Sequence, residues 1–504
     1  MTAAHALFPS ALFFLAVALF PGCGIEGGDE QRRPDVVLVV VDTLRSDRLH
    51  GYGYPRPTSP WLDARAGEGA LFEDVTAQSS WTLPSMVSLM TGRYLTAYRD
   101  QIAEDVPTLA ETFQQAGYRT LGVVGNILIT EPLGFARGFD HFDPRPAPPA
   151  QPNGGGRKQA RSLEQLAGDL WGPLDEALRA AAEPGGERAP LFLYLHPFDP
   201  HDPYHPHPEL DGELPPGGAP PVEPRGWHRQ VLDERGPPPP DDDPLWAREL
   251  RGIDVQRSYY DQEVRYADDQ LALVFERLKE LGVLENAVVA LVSDHGEGLW
   301  EHEHQIAPDK RGTLRPGEFF YQKHGGDLYE EAIATPLVLW GRGVPAGVRV
   351  SEAVENVDLF PTLLELAEVG QRGDLHGRSL VPLLEGGDWE PKPAVHSYIY
   401  LGASVREPAT GLKLIAPTRV ALHQGRELEL YDLGSDPHER SNLAGERVAD
   451  ARRLYGAIVD WRKRYPVRST LGVERSTEQE ADLQAMGYTE LHTGSGDEAL
   501  VPFE

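Results

Sequence analysis

The chain has 504 residues, 40% of them hydrophobic and 9% aromatic, an ordinary globular composition with enough apolar matter for more than one core. Its 78 acidic residues outnumber 47 basic ones, giving a formal charge of -31. That field repels nucleic acid and anionic membrane surfaces, so an anionic substrate must be met by a local cluster of cations.

Ala6 to Gly22 is an apolar run of signal-peptide length, interrupted by Pro9 and Pro21 and too short for a membrane span. It reads as an export leader, although no Lys or Arg precedes it. Phe20-Pro21-Gly22-Cys23 resembles a bacterial lipoprotein cleavage box with Cys23 as the lipidated residue; an ordinary cleaved leader is the alternative. The expected location is periplasmic, on the cell envelope as a lipoprotein, or secreted. Cys23 is the only cysteine, so the mature fold is expected to have no intrachain disulfide and no thiol chemistry.

After a polar spacer, Asp35 to Val41 is a continuous β-branched run, typical of a central strand in a parallel sheet. Asp42 ends it. Ligands gather beyond the carboxyl ends of such strands, so Asp42 reads as a metal carboxylate or as the cap of the next turn. Ser80 to Gly92 follows, and it organises the rest of the chain. Thr82 stands where an N-cap belongs, Pro84 falls in the first turn, Val87, Leu89 and Met90 supply apolar faces, and Gly92 closes the helix. A hydroxyl there feels the positive end of the helix dipole, which favours an alkoxide or an oxyanion.

Val106 to Ala116 is an amphipathic helix ended by Gly117, and Tyr118 to Gly125 a strand with Asn126 at its tip, where its amide either donates to a substrate oxygen or only shapes a turn. Residues 143–157 read as a surface loop and Ser162 to Glu183 as a helix. Pro190 to Leu195 is a buried strand that delivers the stiff segment His196-Pro-Phe-Asp-Pro-His201. Residues 208–244 are dense in Pro, Gly and acid, and read as a flap over a site mouth or a disordered insert. A long helix is expected from Asp254 to Leu281, then a strand from Ala287 to Val292 running into Ser293-Asp294-His295-Gly296-Glu297. Lys323 and His324 offer a cation and an imidazole downstream, and Pro336 to Trp340 is one more strand. His302 and His304 are expected to be exposed.

The order of these motifs resembles the sulfatase family of the alkaline phosphatase superfamily from about Pro34 to the C-terminus. The resemblance rests on Asp42-Thr-Leu-Arg-Ser-Asp47, Pro84-Ser85 with Leu89-Met-Thr-Gly-Arg93, Asp199-Pro-His-Asp-Pro-Tyr204, Ser293 to Glu297, His324-Gly325 with Leu328 to Glu331, and Asn356 to Thr362. It also includes Gly117 to Thr120 and the tail motifs Leu430 to Leu433 and Asp436-Pro437. It implies an α/β, alkaline-phosphatase-like core with a mostly parallel sheet flanked by helices, plus a smaller C-terminal α+β subdomain. The expected division is residues 1–33 as leader, candidate lipoprotein anchor and linker, 34–385 as the catalytic domain and 386–504 as the smaller subdomain. Strands at Val395 to Leu401 and Glu427 to Tyr431 and a helix from Ala444 to Tyr465 are expected in the last part.

Family sulfatases carry Cys or Ser where Thr82 stands and convert it to formylglycine. Thr cannot yield that aldehyde, because its β-carbon already bears a methyl group. Met86 replaces the family's arginine, and Asn126 stands where a lysine is common. Threonine nucleophiles are used by the superfamily's phosphodiesterases and phospho-alcohol transferases, so the chain looks like a formylglycine-independent relative. By resemblance, Asp42, Thr82, Asp294 and His295 bind one divalent metal. Thr82 forms a covalent ester, and His201 and His324, with Lys323 and Asn126 as substrate-binding groups, balance charge or protonate the leaving group. An all-oxygen site favours calcium; an imidazole ligand moves the balance to zinc or manganese. The expected activity is hydrolysis of sulfate or phosphate esters of a small molecule or glycan. The alternatives are a phosphoglycerol- or phosphoethanolamine-type transferase and a catalytically silent binding protein. No nucleic acid is expected, and membrane contact only through a lipid on Cys23.

Overall fold

The computed structural model describes residues 32–94, 101–144, 162–179, 188–219, 244–303, 320–370, 373–423, 425–466 and 500, without the side chains of 244–250, 303 and 320–323. Cys23, His304 and most of the segments 143–157 and 220–243 lie outside the described residues. Residues Met1–Arg33 and Pro34–Glu504 are two compact units, and of the first only Arg32 and Arg33 are described.

The second unit is built on β1 (Asp35–Val41), every residue of which is buried. Its side chains alternate between two cores, as the period of an extended strand requires. Val36, Leu38 and Val40 join the core that includes Leu83 of α2 (Thr82–Thr91), Phe113 of α3 (Leu109–Gln115) and Leu363 of α6 (Leu359–Leu366). Val37, Val39 and Val41 join the opposite core, with Leu62 of α1 (Pro60–Glu68), Leu170 of α4 (Leu163–Arg179) and Val264 of α5 (Pro244–Glu280). A strand covered on both faces has no use for polar residues, which is why β1 reads as an unbroken apolar run.

Seven further strands complete the sheet: β2 (Ala70–Phe72), β4 (Arg119–Val124), β5 (His141–Asp143), β6 (Leu191–His196), β7 (Ala287–Ser293), β10 (Leu337–Gly341) and β11 (Val348–Val350). Their order is β11-β2-β10-β7-β1-β6-β4-β5. Five of the seven pairings are parallel, and β10 pairs antiparallel with both β7 and β2. The short strands β3 (Val75–Thr76) and β12 (Val354–Glu355) pair with each other, as do β8 (Gly298–Glu303) and β9 (Phe320–Lys323). At the C-terminal end β13 (Val395–Ile399), β14 (Gly402–Glu407), β15 (Leu412–Pro417) and β16 (Glu429–Asp432) form an antiparallel meander. Ala451, Leu454 and Ile458, spaced to share one stripe of α7 (Val448–Arg464), pack on it through Tyr398, Val405 and Leu414.

Three helix starts differ from expectation; α7 begins at Val448, four residues after Ala444, and the other two have a local cause. α3 begins at Leu109 because Thr108 accepts from the Glu111 amide while the Glu111 carboxylate accepts from the Thr108 amide, a reciprocal cap that sets the end three residues late. α5 begins ten residues before Asp254, at Pro244, where a residue without an N–H is tolerated in a first turn.

The expectation for His302 is overturned. The side chain is 4% exposed and stacks on Tyr329 with ring centroids 3.7 Å apart. Its Nδ1 pairs with the Glu331 carboxylate, and its Nε2 lies 3.2 Å from the Glu439 carbonyl. Burial disfavours the imidazolium, but Glu331 outweighs it and pushes the group up to about 9. Among the described residues no helix is long and apolar enough to cross a membrane.

Candidate active site

Four adjacent parallel strands set out the site. In the order β7, β1, β6, β4 their carboxyl ends are followed by or end in Asp294, Asp42, His196 and Asn126. The register aligns Val41 with Ser293 and Val124 with His196, so the four side chains emerge at the same edge of the sheet. Asp42, His196 and Asp294 each offer a ligand atom within 4.8 Å of the others, and all three residues are fully buried. Asp42 Oδ1, Asp294 Oδ2 and His196 Nε2 are buried without a hydrogen-bond partner. Two orphaned carboxylate oxygens facing an unpartnered imidazole nitrogen are costly unless a cation occupies the space between them. The donor set therefore fits one divalent ion, and it contains an imidazole to which the sequence alone assigns no role. Tyr194 holds His196 from behind, its hydroxyl 2.7 Å from Nδ1, which leaves Nε2 directed at Asp42, 3.7 Å away.

The two carboxylates repel each other, and their environments divide the consequence. Burial alone would raise Asp42, but His196, His201 and His295 around it hold it below the usual carboxylate range. Burial pushes Asp294 up to about 6, with His295 opposing and the Asp42 charge reinforcing the rise.

Thr82 is the first residue of α2 and not its cap. Trp81 is the N-cap, and it makes no side-chain capping bond. The Thr82 hydroxyl lies instead 3.1 Å from His295 Nε2. His295 Nδ1 is 2.8 Å from the Gly296 carbonyl, a contact only a protonated nitrogen can make, so Nε2 presents a lone pair to the threonine O–H. The same Nε2 is 3.3 Å from Asp294 Oδ2 and 4.0 Å from Asp42 Oδ1. Ser85, one turn along α2, donates to the Asp294 carbonyl at 2.5 Å and ties the helix to the β7 loop. Sequence reasoning misses this clamp, although a second hydroxyl three residues on shares the Thr82 face of the helix.

The loop after β7 can turn back only because residue 296 is glycine: a Cβ there would lie 2.0 Å from the Glu331 carbonyl. Opposite, Thr43 adopts a left-handed conformation with φ 53°, held by its amide donating to Asp294 Oδ1 at 3.2 Å and its carbonyl accepting from Tyr260 at 2.7 Å. A β-branched residue in that region is strained, and here the strain turns the chain directly after Asp42.

His201 and His324 reach the same cluster. The His201 ring stacks on Phe198 and is centred 4.8 Å from His324, whose ring is 4.5 Å from His295. Burial pushes His201 down to about 4, against the pull of Asp42. His324 Nδ1 is 3.1 Å from Glu297 Oε1, and burial pushes Glu297 up to about 7 against the nearby His201 and His295. Glu297 is a second group whose place in the site no local pattern reveals. Asn126 is at the site, but its amide nitrogen donates to Asp42 Oδ2 at 2.5 Å and its carbonyl oxygen accepts from the Leu128 amide. It braces the Asp42 carboxylate and shapes the turn that follows β4. The Lys323 side chain lies outside the described residues.

Comparison with known proteins agrees with this architecture. The profile named N-sulphoglucosamine sulphohydrolase, C-terminal, matches residues 317–454. The chain is 24% identical over 548 residues to N-acetylglucosamine-6-O-sulfatase of Bacteroides thetaiotaomicron, covering 91% of each protein. It is 30% identical over 221 residues to arylsulfatase K of Danio rerio, covering 42% of this chain and 38% of that one. Among solved structures, the phosphonate monoester hydrolase of Silicibacter pomeroyi superposes with a TM-score of 0.65 at 20% identity, over 88% of this chain and 98% of the other. The family profile Sulfatase matches residues 34–369, the whole of the eight-stranded sheet and every residue of the cluster at its edge, so the chain belongs to the sulfatase family of alkaline-phosphatase-superfamily ester hydrolases.

Proposed function

We propose that the protein hydrolyses sulfate or phosphate esters through a covalent ester on Thr82, with one divalent cation held by Asp42, Asp294 and an imidazole. The observation that carries this reading is the Thr82 hydroxyl, free of any capping role and 3.1 Å from His295 Nε2 beside the two carboxylates. A bound cation would neutralise the carboxylate pair and supply Lewis-acid stabilisation of the charge that develops on the ester oxygens. The imidazole in the donor set favours zinc or manganese over calcium.

His295 takes the Thr82 proton on Nε2, its tautomer fixed by Gly296. The threonine oxygen then forms a bond to sulfur or phosphorus as the bond to the alcohol oxygen breaks in line with it. The leaving oxygen gains its proton from His324, whose ring Glu297 holds, with His201 beside it balancing charge on the ester oxygens. Water repeats the attack from the same side as the departed alcohol and frees Thr82. His295 has one lone pair, used either for the threonine proton or as the metal ligand that family resemblance implies. His196 is the imidazole that takes the cation in the first case.

The relatives named above, a 6-O-sulfatase of an amino sugar and a phosphonate monoester hydrolase, support a sulfated or phosphorylated glycan or small ester as substrate. Export through the leader, with Cys23 lipidated or the leader simply cleaved, belongs to the same proposal. The test is Thr82→Ala with metal content and turnover of aryl sulfate, phosphate and phosphonate esters measured together, with and without chelator. The variant is expected to keep its metal and lose at least about 10³-fold in kcat. Intact-mass analysis of the wild type with a slow substrate is expected to show the covalent adduct on the peptide containing Thr82. Turnover within about tenfold of wild type, or a metal-free active enzyme, would overturn the mechanism. Transfer to an added alcohol in preference to water would mark the transferase reading instead.

A further inference from the structure

A second cavity of about 530 Å³ lies at the other end of the nucleophile helix, between α7 and the segment around residues 376–396. Tyr94, just past the C-terminus of α2, lines it. The ten residues of α2 separate it from the Thr82 end, a span of about 15 Å.

Rings and charged side chains share its lining. Tyr94 lies 5.4 Å from Trp461 and 4.9 Å from Tyr465, and His396 stacks on Trp461 at an interplanar angle of 2°. Three of the lining residues also carry a buried polar atom with no partner: Trp461 Nε1, Arg378 Nη2 and His396 Nε2. Burial pushes His396 down to about 3, with Lys392 adding to the effect, so its ring is neutral. Two of the three atoms are obligate donors, and a buried donor without an acceptor is costly.

The charges point the same way. Lys392 is neutralised by Glu355 and Asp358, and Arg453 by Glu407 and Asp450. Arg378 and Arg464 have no carboxylate within ion-pairing distance among the described residues. Arg378 lies over the Trp389 ring and Arg464 over the Tyr465 ring. The one acid on the lining outside these pairs, Asp460, is exposed and lies 3.5 Å from Lys463. In a chain of charge -31, two guanidinium groups without an ion-pair partner beside aromatic faces are a local feature suited to meeting an anion.

We propose that this cavity binds a saccharide unit bearing a sulfate or carboxylate group, separately from the catalytic centre. The rings receive the C–H face of the sugar, and the Arg378 and Arg464 guanidinium groups pair with its acid. The inference does not depend on the chemistry at Thr82.

The test uses the full chain carrying Thr82→Ala, so that no ligand is consumed. Calorimetry and tryptophan fluorescence follow titration with glucose 6-sulfate, glucuronate, glucose and sodium sulfate. Both acidic sugars are expected to bind, with glucose and sulfate alone at least about tenfold weaker. Arg464→Gln, at an exposed helix end, and Arg378→Gln are each expected to weaken the acidic sugars about tenfold. In the Thr82-containing enzyme the Arg464→Gln variant is expected to leave aryl ester turnover unchanged, which also reports folding. Sulfate-selective or carboxylate-selective binding would assign the acid. No saturable binding into the millimolar range, or binding that His324→Ala abolishes and Arg464→Gln leaves intact, would overturn the proposal.

Discussion

Lowering the pH from 7 to 5 should loosen the bound cation about tenfold through Asp294 alone. Burial and the neighbouring Asp42 charge hold Asp294 at about 6 before a cation binds, with His295 opposing, so proton and cation compete for the same oxygens in that interval. The apparent Kd scales as 1 + 10^(pKa − pH), about 1.1 at pH 7 and about 11 at pH 5. That ratio corresponds to about 1.4 kcal/mol. Asp42, held below the usual range, contributes nothing to this window. The sign is fixed: a carboxyl raised in the folded protein binds its proton as the pH falls, so affinity falls with it. Calorimetric titration of the chelator-stripped protein with manganese at several pH values measures the slope. Asp294→Asn, which keeps every imidazole, separates this carboxylate from the histidines. The variant should bind more weakly at pH 7 and show a flatter dependence between pH 7 and 5. Equal slopes in the two proteins, or a flat wild-type profile, would refute the electrostatic account of the site.

His302 should make stability fall as the pH rises through about 9. Its folded value lies above the usual 6.5 because the paired Glu331 outweighs burial, so the stabilisation is complete below about 6.5 and is lost above 9, up to about 3 kcal/mol. Denaturant melts of wild type and His302→Gln between pH 7 and 10 should converge; parallel curves would show that the pair does not contribute. Gly296→Ala should disable the site without unfolding the protein, since a Cβ 2.0 Å from the Glu331 carbonyl forces the Asp294-His295 loop to move. Wild-type circular dichroism with at least about 10²-fold less turnover is expected, because displacement of about 1 Å at reacting groups has that effect.

Part of this site is legible in the chain because strand ends are legible. Unbroken apolar runs stop at Asp42 and at Ser293, and a carboxylate following such a run in an α/β protein lies at the ligand-binding edge. His196 obeys the same rule at the end of β6, yet its role emerges only from the strand order β7-β1-β6, which no local pattern encodes. Asn126 is similarly at the correct edge, but whether its amide meets substrate or Asp42 depends on a 2.5 Å contact across 84 residues. Thr82 illustrates the opposite error. Local pattern makes it a cap, and the tertiary contact with His295 leaves its hydroxyl available. A histidine among acids in a loop-like stretch reads as solvated, whereas Tyr329 and Glu331 enclose His302.

By itself the sequence determined the elements and their faces: a buried strand is apolar on both sides, helices repeat at their own period, and turns demand glycine or a cap. From these follow the sheet-and-helix class and the stretches from which ligands come. Tertiary structure alone decided which strand neighbours which, and so which two carboxylates face each other, which imidazole joins them and which hydroxyl is left free of the helix end. The reason is that propensity and capping act within a few residues, whereas repulsion, orphaned acceptors and close backbone approach arise between groups hundreds of residues apart.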